Sequence, residues 1–238
     1  MIHTLSSLCT TYEGGRGPRA RGTVGVLSPC YAEHAEGWRR AGHQVLELQL
    51  DQVQAHLDSL DALVVVNPNN PTGCMLMPEQ LLGWHARLAR HGGWLLVDEA
   101  FMDNTAQHSI GAEAERPGLI VLRSFGKFFG LAGVRLGFVL AEPQLLRCLA
   151  ELLGPWTVSG PTRILGQACL LDSAAHQQQI ARCAEASERL AGVMSGAGFA
   201  PTGGCDLFQY LLTDQAEQLH EFMAQRGILL RLFSQPAS

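Results

Sequence analysis

The chain has 238 residues, 47% of them hydrophobic and 16% charged, enough to bury a sizeable core within one large domain or one and a half. Its formal net charge is −5 and its arginines are scattered, so no basic stripe marks a nucleic-acid partner. Seven cysteines without a Cys-x-x-Cys pair and nine histidines without a His-Glu-x-x-His pattern leave no metal-ligand spacing, and each histidine is expected on the surface or in the core.

The opening MIHTLSSLCTTYEGG lacks a basic start followed by a long apolar stretch, and no later apolar run approaches the ~20 residues a membrane span needs. The cysteine usage fits a reducing compartment, and a cytoplasmic location is expected. The arginine cluster in GGRGPRARG reads as a solvated loop.

Beyond that loop, short apolar runs recur between turn residues: TVGVL, QVLEL, ALVVV, WLLV, LIVL and LGFVL. Runs without alternation suit strands buried on both faces, as in a parallel sheet covered by helices. AEHAEGWRRAGH, between the first two runs, has helical spacing. PEQLLGWHARLARHGG has it more strongly, with a proline in its first turn and glycines after its last. Strand, helix and strand in alternation predict an α/β sheet built from right-handed crossovers, with ligands bound beyond the carboxyl ends of the strands. From Pro155 the pattern changes to a long helical reach, roughly 163–196. A glycine turn, the strand candidate DLFQYLL, a helix near 214–226 and a final strand GILLRLF follow. The division expected is a large domain over 1–174 and a smaller α+β unit over 175–238.

Three strand ends carry unusual residues. ALVVV runs into NPNNPTG (Asn67 to Gly73), whose prolines and glycine must turn the chain and leave amide side chains over. WLLV runs into Asp98, Glu99, Ala100 and Phe101, and LIVL runs into RSFGKFFGLAGVRLG with Ser124, Lys127 and Arg135. Taken singly, Asp98 could cap a turn, Lys127 could be a surface lysine and Arg135 could form an ordinary ion pair. If the three strands are parallel neighbours, one crevice receives an amide, a carboxylate, a lysine and an arginine. That is the set a Schiff-base cofactor requires: an amine to form the imine, an acid to keep a pyridine nitrogen protonated, and hydroxyl and guanidinium donors for a phosphate.

The order Asn-x-x-Asn-Pro-x-Gly, Asp-Glu-Ala-aromatic, Ser-x-x-Lys and an arginine eight residues on resembles the fold type I pyridoxal-phosphate enzymes of the aminotransferase class I and II superfamily. That resemblance implies a mainly parallel sheet between helices in a large domain, part of a small α+β domain, pyridoxal 5′-phosphate as cofactor, and a homodimer. It implies that Lys127 forms the Schiff base and Asp98 pairs with the pyridine nitrogen. It also implies that Asn70 donates to the ring oxygen, Ser124 and Arg135 bind the phosphate, and Tyr31 stacks on the ring. Arg231, in GILLR, corresponds to a residue near the substrate. Many relatives have tyrosine where this chain has Phe101, and a phenylalanine cannot donate to the ring oxygen.

Within the superfamily, VLSPCYAEHAEGWRRAGH, RSFGKFFGLAGVRLGF and PWTVSGP look most like the threonine-phosphate decarboxylases of cobalamin biosynthesis, which act on a small phosphorylated amino acid. Histidinol-phosphate aminotransferases share NPNNPTG and remain the competing reading, with an inactive remnant as a third. Relatives carry a Gly-Ser/Thr phosphate loop before the first strand and an arginine past the last one. Neither is found here, so the expectation is a chain shortened at both ends and impaired in activity.

Overall fold

Each of the six apolar runs forms a strand, because each presents apolar side chains to both faces of one sheet. The computed structural model describes residues 21–233, so most of the arginine-rich loop and the residues before it lie outside. The strands are β1 (Thr23–Leu27), β2 (Gln44–Leu48), β3 (Ala62–Val66), β4 (Trp94–Asp98), β5 (Leu119–Ser124) and β6 (Gly137–Leu140). They are ordered β2-β1-β3-β4-β5-β6. The first five are parallel, with Val64 level with Leu96 and Leu96 with Ile120. β6 is antiparallel to β5, Val121 facing Leu140. The segment 125–136 between them holds only a four-residue helix, α4 (Phe125–Phe128), and a 3-10 turn, too little for a crossover, so the chain turns back at the edge where it left.

Every residue of β3 and β4 is buried. Alternate side chains divide between two cores. Val24, Val64, Leu96 and Ile120 pack with Trp38 of α1 (Glu33–Arg40) and with Leu145 and Leu149 of α5 (Pro143–Leu153). On the other face Leu63, Val65, Leu95 and Val121 pack with Val53 of α2 (Leu50–His56) and with Leu81, Trp84 and Leu88 of α3 (Pro78–Ala89). Each such leucine or valine contributes roughly 1.5–3 kcal/mol by leaving water. α1 carries Glu33 and Glu36 in its first turn and Arg39 and Arg40 in its last, which complements the helix dipole at both ends.

The helical reach over 163–196 is two helices, α6 (Gly160–Leu171) and α7 (Ser173–Gly196). Asp172 breaks it: its backbone leaves helical geometry and its carboxylate accepts from the Ala175 N–H at 2.9 Å, capping the second helix at the expense of continuing the first. DLFQYLL contributes β8 (Phe208–Tyr210), which pairs antiparallel with β7 (Gly203–Cys205), and the last helix is α8 (Ala216–Ala224). GILLRLF does not form the expected strand. Among the described residues the small sheet has β7 and β8 alone, and residues 228–233 gain no ladder from it, which leaves Leu229 85% exposed. No helix among the described residues is long and apolar enough to cross a membrane, and no cluster among them could hold a metal ion.

Candidate active site at the carboxyl edge of the sheet

Because β1, β3, β4 and β5 are parallel neighbours, their carboxyl ends bring Tyr31, the NPNNPTG loop, Asp98, Ser124 and Lys127 to one edge. Arg135 joins them because antiparallel β6 begins at that edge, with Gly137 level with Ser124. Arg231 is exposed in the irregular segment, its guanidinium 5.9 Å from the ring centre of Phe233.

The amide-rich loop divides its side chains between structure and surplus. Asn67 closes the loop's far side, donating to the Leu76 carbonyl at 3.0 Å and accepting from the Leu76 N–H at 2.8 Å. Asn69 donates to the Pro29 carbonyl at 2.9 Å and to Thr72 Oγ1 at 2.8 Å, which ties the end of β1 to the turn. Asn70, half-buried next to Asn69, makes no side-chain hydrogen bond among the described residues and keeps its donors unused.

Asp98 is 8% exposed and held from two sides. Its Oδ2 lies 2.8 Å from Nε2 of His34, and its Oδ1 accepts from the Ala100 N–H at 3.0 Å. His34 is fully buried in α1; its Nε2 faces the carboxylate oxygen, which accepts, while Nδ1 lacks a partner. The pair fixes the carboxylate at the edge. The sequence leads one to expect only a core or surface histidine here; the ring of Tyr31 meets His34 edge-on at 6.1 Å.

Glu99, beside Asp98, is a structural acid. It is wholly buried and accepts from Ser109 Oγ and from the Ile110 N–H at 2.9 Å, while Arg123 bridges it at 3.4 Å to Asp103 at 2.9 Å. Burial pushes its carboxyl up, and the donors from Ser109, Ile110 and Arg123 oppose that rise. Cys30 is also silenced: burial, with the Glu47 and Asp98 carboxylates, pushes its thiol up to about 12, so it stays protonated near neutral pH.

Lys127 sits in α4 between Phe125 and Phe128, which are 2% and 1% exposed, so buried rings on either side anchor its backbone while its side chain is exposed. That side chain makes no ion pair or hydrogen bond among the described residues. Of the 17 lysines and arginines in the chain, 16 are arginine and Lys127 is the one lysine. Every other Lys or Arg position is arginine; the single lysine carries an amine that can act as a nucleophile, which a guanidinium cannot. This was legible in the sequence and passed over. Ser124 stands at the N-cap position of α4 without a side-chain capping bond, its hydroxyl unused. Arg135 adopts φ 55°, ψ 43°, the left-handed region that side chains disfavour, and spends one N–H on the Ala132 carbonyl at 3.3 Å.

The small sheet closes on this edge. The Gly204 N–H donates to the Thr72 carbonyl at 3.2 Å, and a Cβ at Gly73 (φ 73°) would stand 2.0 Å from the Gly204 oxygen. Asn104 donates to the Ile180 carbonyl of α7 at 3.1 Å and to Asp206 at 2.9 Å. A cavity of about 140 Å³ remains between, lined by Pro68, Met75, Phe101, Asn104, Cys205 and Leu207 among others.

An α/β sheet whose carboxyl edge presents a sole lysine, an anchored aspartate and unused amide, hydroxyl and guanidinium donors defines a class, and the chain belongs to the aminotransferase class I and II family, whose model matches residues 20–237. Within it, the chain is 60% identical over 223 residues to threonine-phosphate decarboxylase of Pseudomonas aeruginosa, a match covering 93% of this chain and 67% of that protein. It is 43% identical over 218 residues to threonine-phosphate decarboxylase of a Sinorhizobium species, covering 88% of this chain and 62% of that one. Histidinol-phosphate aminotransferase of Shewanella amazonensis is 29% identical over 233 residues, covering 90% and 63%. The fold matches the crystal structure of histidinol-phosphate aminotransferase from Sinorhizobium meliloti in complex with pyridoxal-5′-phosphate, with TM-score 0.81 at 18% identity over 99% of this chain and 66% of that one. The chain thus spans about two thirds of the length of these relatives.

Proposed function

We propose that this chain is the pyridoxal-phosphate-binding core of a threonine-phosphate decarboxylase, which removes the carboxylate of L-threonine O-3-phosphate to give (R)-1-aminopropan-2-yl phosphate in cobalamin biosynthesis. The observation that carries the reading is the sole lysine, Lys127, at the sheet edge that also holds Asp98, Asn70, Ser124 and Arg135. The higher identity to the decarboxylases than to the aminotransferase favours this reaction over transamination.

The residues present fit the cofactor. Lys127 supplies the attaching amine, and Asn70 has free donors for the ring oxygen, where Phe101 can give none. Asp98, held by His34 and the Ala100 N–H, would pair with the pyridine nitrogen. Ser124 and the remaining N–H groups of Arg135 would serve the phosphate, and Tyr31, 45% exposed, would stack on the ring. The bound cofactor supplies an electron sink for the bond broken at the substrate's α carbon. The chain's part is to orient the substrate so that the broken bond is the one to the carboxylate, and Lys127, once free, returns a proton to that carbon. Arg231 is assigned to an anionic group of the substrate.

We further propose the division into a large unit, 1–174, and a small one, 175–238, a cytoplasmic location and a homodimer. The six described cysteines are all free, in keeping with a reducing compartment. Trp156, Ile164 and Leu171 are 94%, 73% and 75% exposed, an apolar stretch at α6 that a second copy would cover. The test of the function is product analysis: with pyridoxal phosphate, L-threonine O-3-phosphate should release carbon dioxide and leave aminopropanol phosphate. Consumption of 2-oxoglutarate with histidinol phosphate, without carbon dioxide, would replace the decarboxylase reading with the transaminase one.

A further inference from the structure

The backbone of Lys127 is pinned, but its long side chain has no polar partner among the described residues to fix where the amine points. Phe125 and Phe128 are core residues, the rings of Phe125 and Phe129 stack at 4.6 Å, and Gln179 of α7 donates to the Phe128 carbonyl at 3.0 Å. The Cα is therefore held and four side-chain torsions are left. The contact recorded for the amine is an aromatic face: Nζ lies 5.6 Å from the ring centre of Phe101, within the ~6 Å over which a ring quadrupole attracts a cation.

That ring is itself held. Phe208 of β8 meets Phe101 edge-on at 5.0 Å and 80°. β8 has little freedom to move, because its partner β7 is docked on the NPNNPTG loop with no space for a methyl group: a Cβ at Gly203 would stand 2.1 Å from the Thr72 oxygen. A chain of contacts thus runs from the loop through β7, β8, Phe208 and Phe101 to the amine.

We propose that Phe101, clamped by Phe208 of the small sheet, is a positioning residue that holds the Lys127 amine over its ring face at the sheet edge. The inference rests on Lys127 being the nucleophile. It gives Phe101 a role that needs no hydroxyl, and it makes the small sheet part of how the nucleophile is aimed.

Because Lys127 is the sole lysine, two labelling rates on the cofactor-free 238-residue chain test this cleanly. Limiting acetic anhydride, read by mass spectrometry of the Lys127 peptide, reports how often the amine leaves the ring. Pyridoxal phosphate trapped with borohydride reports how often it is aimed correctly. Phe101→Leu should raise acetylation and lower trapping, each by about two- to fivefold, the factor equivalent to a ~0.5–1 kcal/mol cation–ring contact. Phe208→Leu should give the same opposed pair, smaller, and Phe101→Tyr, which keeps the ring and adds a donor for the ring oxygen, should match the parent in acetylation and trap at least as fast. Rates that move together in Phe101→Leu, or do not move, or a Phe101→Tyr that behaves like Phe101→Leu, would overturn the proposal. If the parent traps no pyridoxal phosphate at Lys127, the cofactor reading fails instead, and the acetylation rates of the three variants alone decide the positioning claim.

Discussion

His34→Phe isolates the hydrogen bond that anchors Asp98. Phenylalanine keeps a ring where His34 meets Tyr31 edge-on, so the packing change is small, while both nitrogens are lost. Asp98 Oδ2 then has no donor at an 8% exposed site, and a hydrogen bond to a charged group contributes about 1.5–3 kcal/mol. Part of this is offset, because the buried Nδ1 that lacks a partner disappears as well, worth ~1 kcal/mol at the low end of such penalties. The net expectation is a loss of about 0.5–2 kcal/mol in urea unfolding, a midpoint lowered by roughly 0.5 M at the slopes usual for domains of this size. The same substitution in an Asp98→Asn background should cost less than ~0.5 kcal/mol. There the amide presents N–H toward His34, the good bond is already gone, and the coupling of about 1 kcal/mol is what the double cycle reads. Equal costs in both backgrounds would refute the reasoning, since His34 would then be held by packing alone.

Arg135→Gly should unfold within ~0.5 kcal/mol of the parent, because relief of the left-handed backbone roughly balances the added freedom of glycine in the unfolded chain. The affinity for pyridoxal phosphate, measured by fluorescence titration, should fall by about ten- to a hundredfold with the lost guanidinium. Gly73→Ala combines φ 73° with a Cβ 2.0 Å from the Gly204 oxygen and should cost about 2–4 kcal/mol in urea unfolding. Burial lowers the folded pKa of His85, whose Nε2 lies 3.0 Å from the Pro117 carbonyl oxygen, below its ordinary 6.5. Its contribution to stability is present above 6.5 and lost as pH falls through the folded value, so urea midpoints should drop on acidification from neutral and His85→Gln should remove that part of the slope. Glu99, pushed up by burial, acts in the opposite sense, its contribution present below 4.5 and lost as pH rises.

The sheet was legible because ALVVV and WLLV are apolar on both faces, a pattern only a doubly covered strand satisfies, and because their turn residues fall where the ladders end. That Asp98, Asn70, Ser124, Lys127 and Arg135 gather at one edge was legible because linear order maps onto that edge once the strands are parallel, whereas their separate roles rest on the family resemblance. His34 could not be singled out: its contact with Asp98 joins residues 64 apart in sequence, and no local pattern distinguishes it from a packed histidine. The break at Asp172 was missed for a related reason, since an aspartate inside a helical pattern is either a surface residue or a cap, and only its backbone angles decide. GILLRLF misled because β-branched and leucine-rich sequence favours a strand only where an edge is available to pair with it.

The most direct test of the central claim is to incubate the 238-residue chain with pyridoxal phosphate, reduce with borohydride and map the modified peptide. The account expects one covalent addition, on Lys127, lost in Lys127→Arg with the unfolding midpoint unchanged. No addition, or addition confined to the α-amino group, would contradict it, because no other lysine exists to take the part.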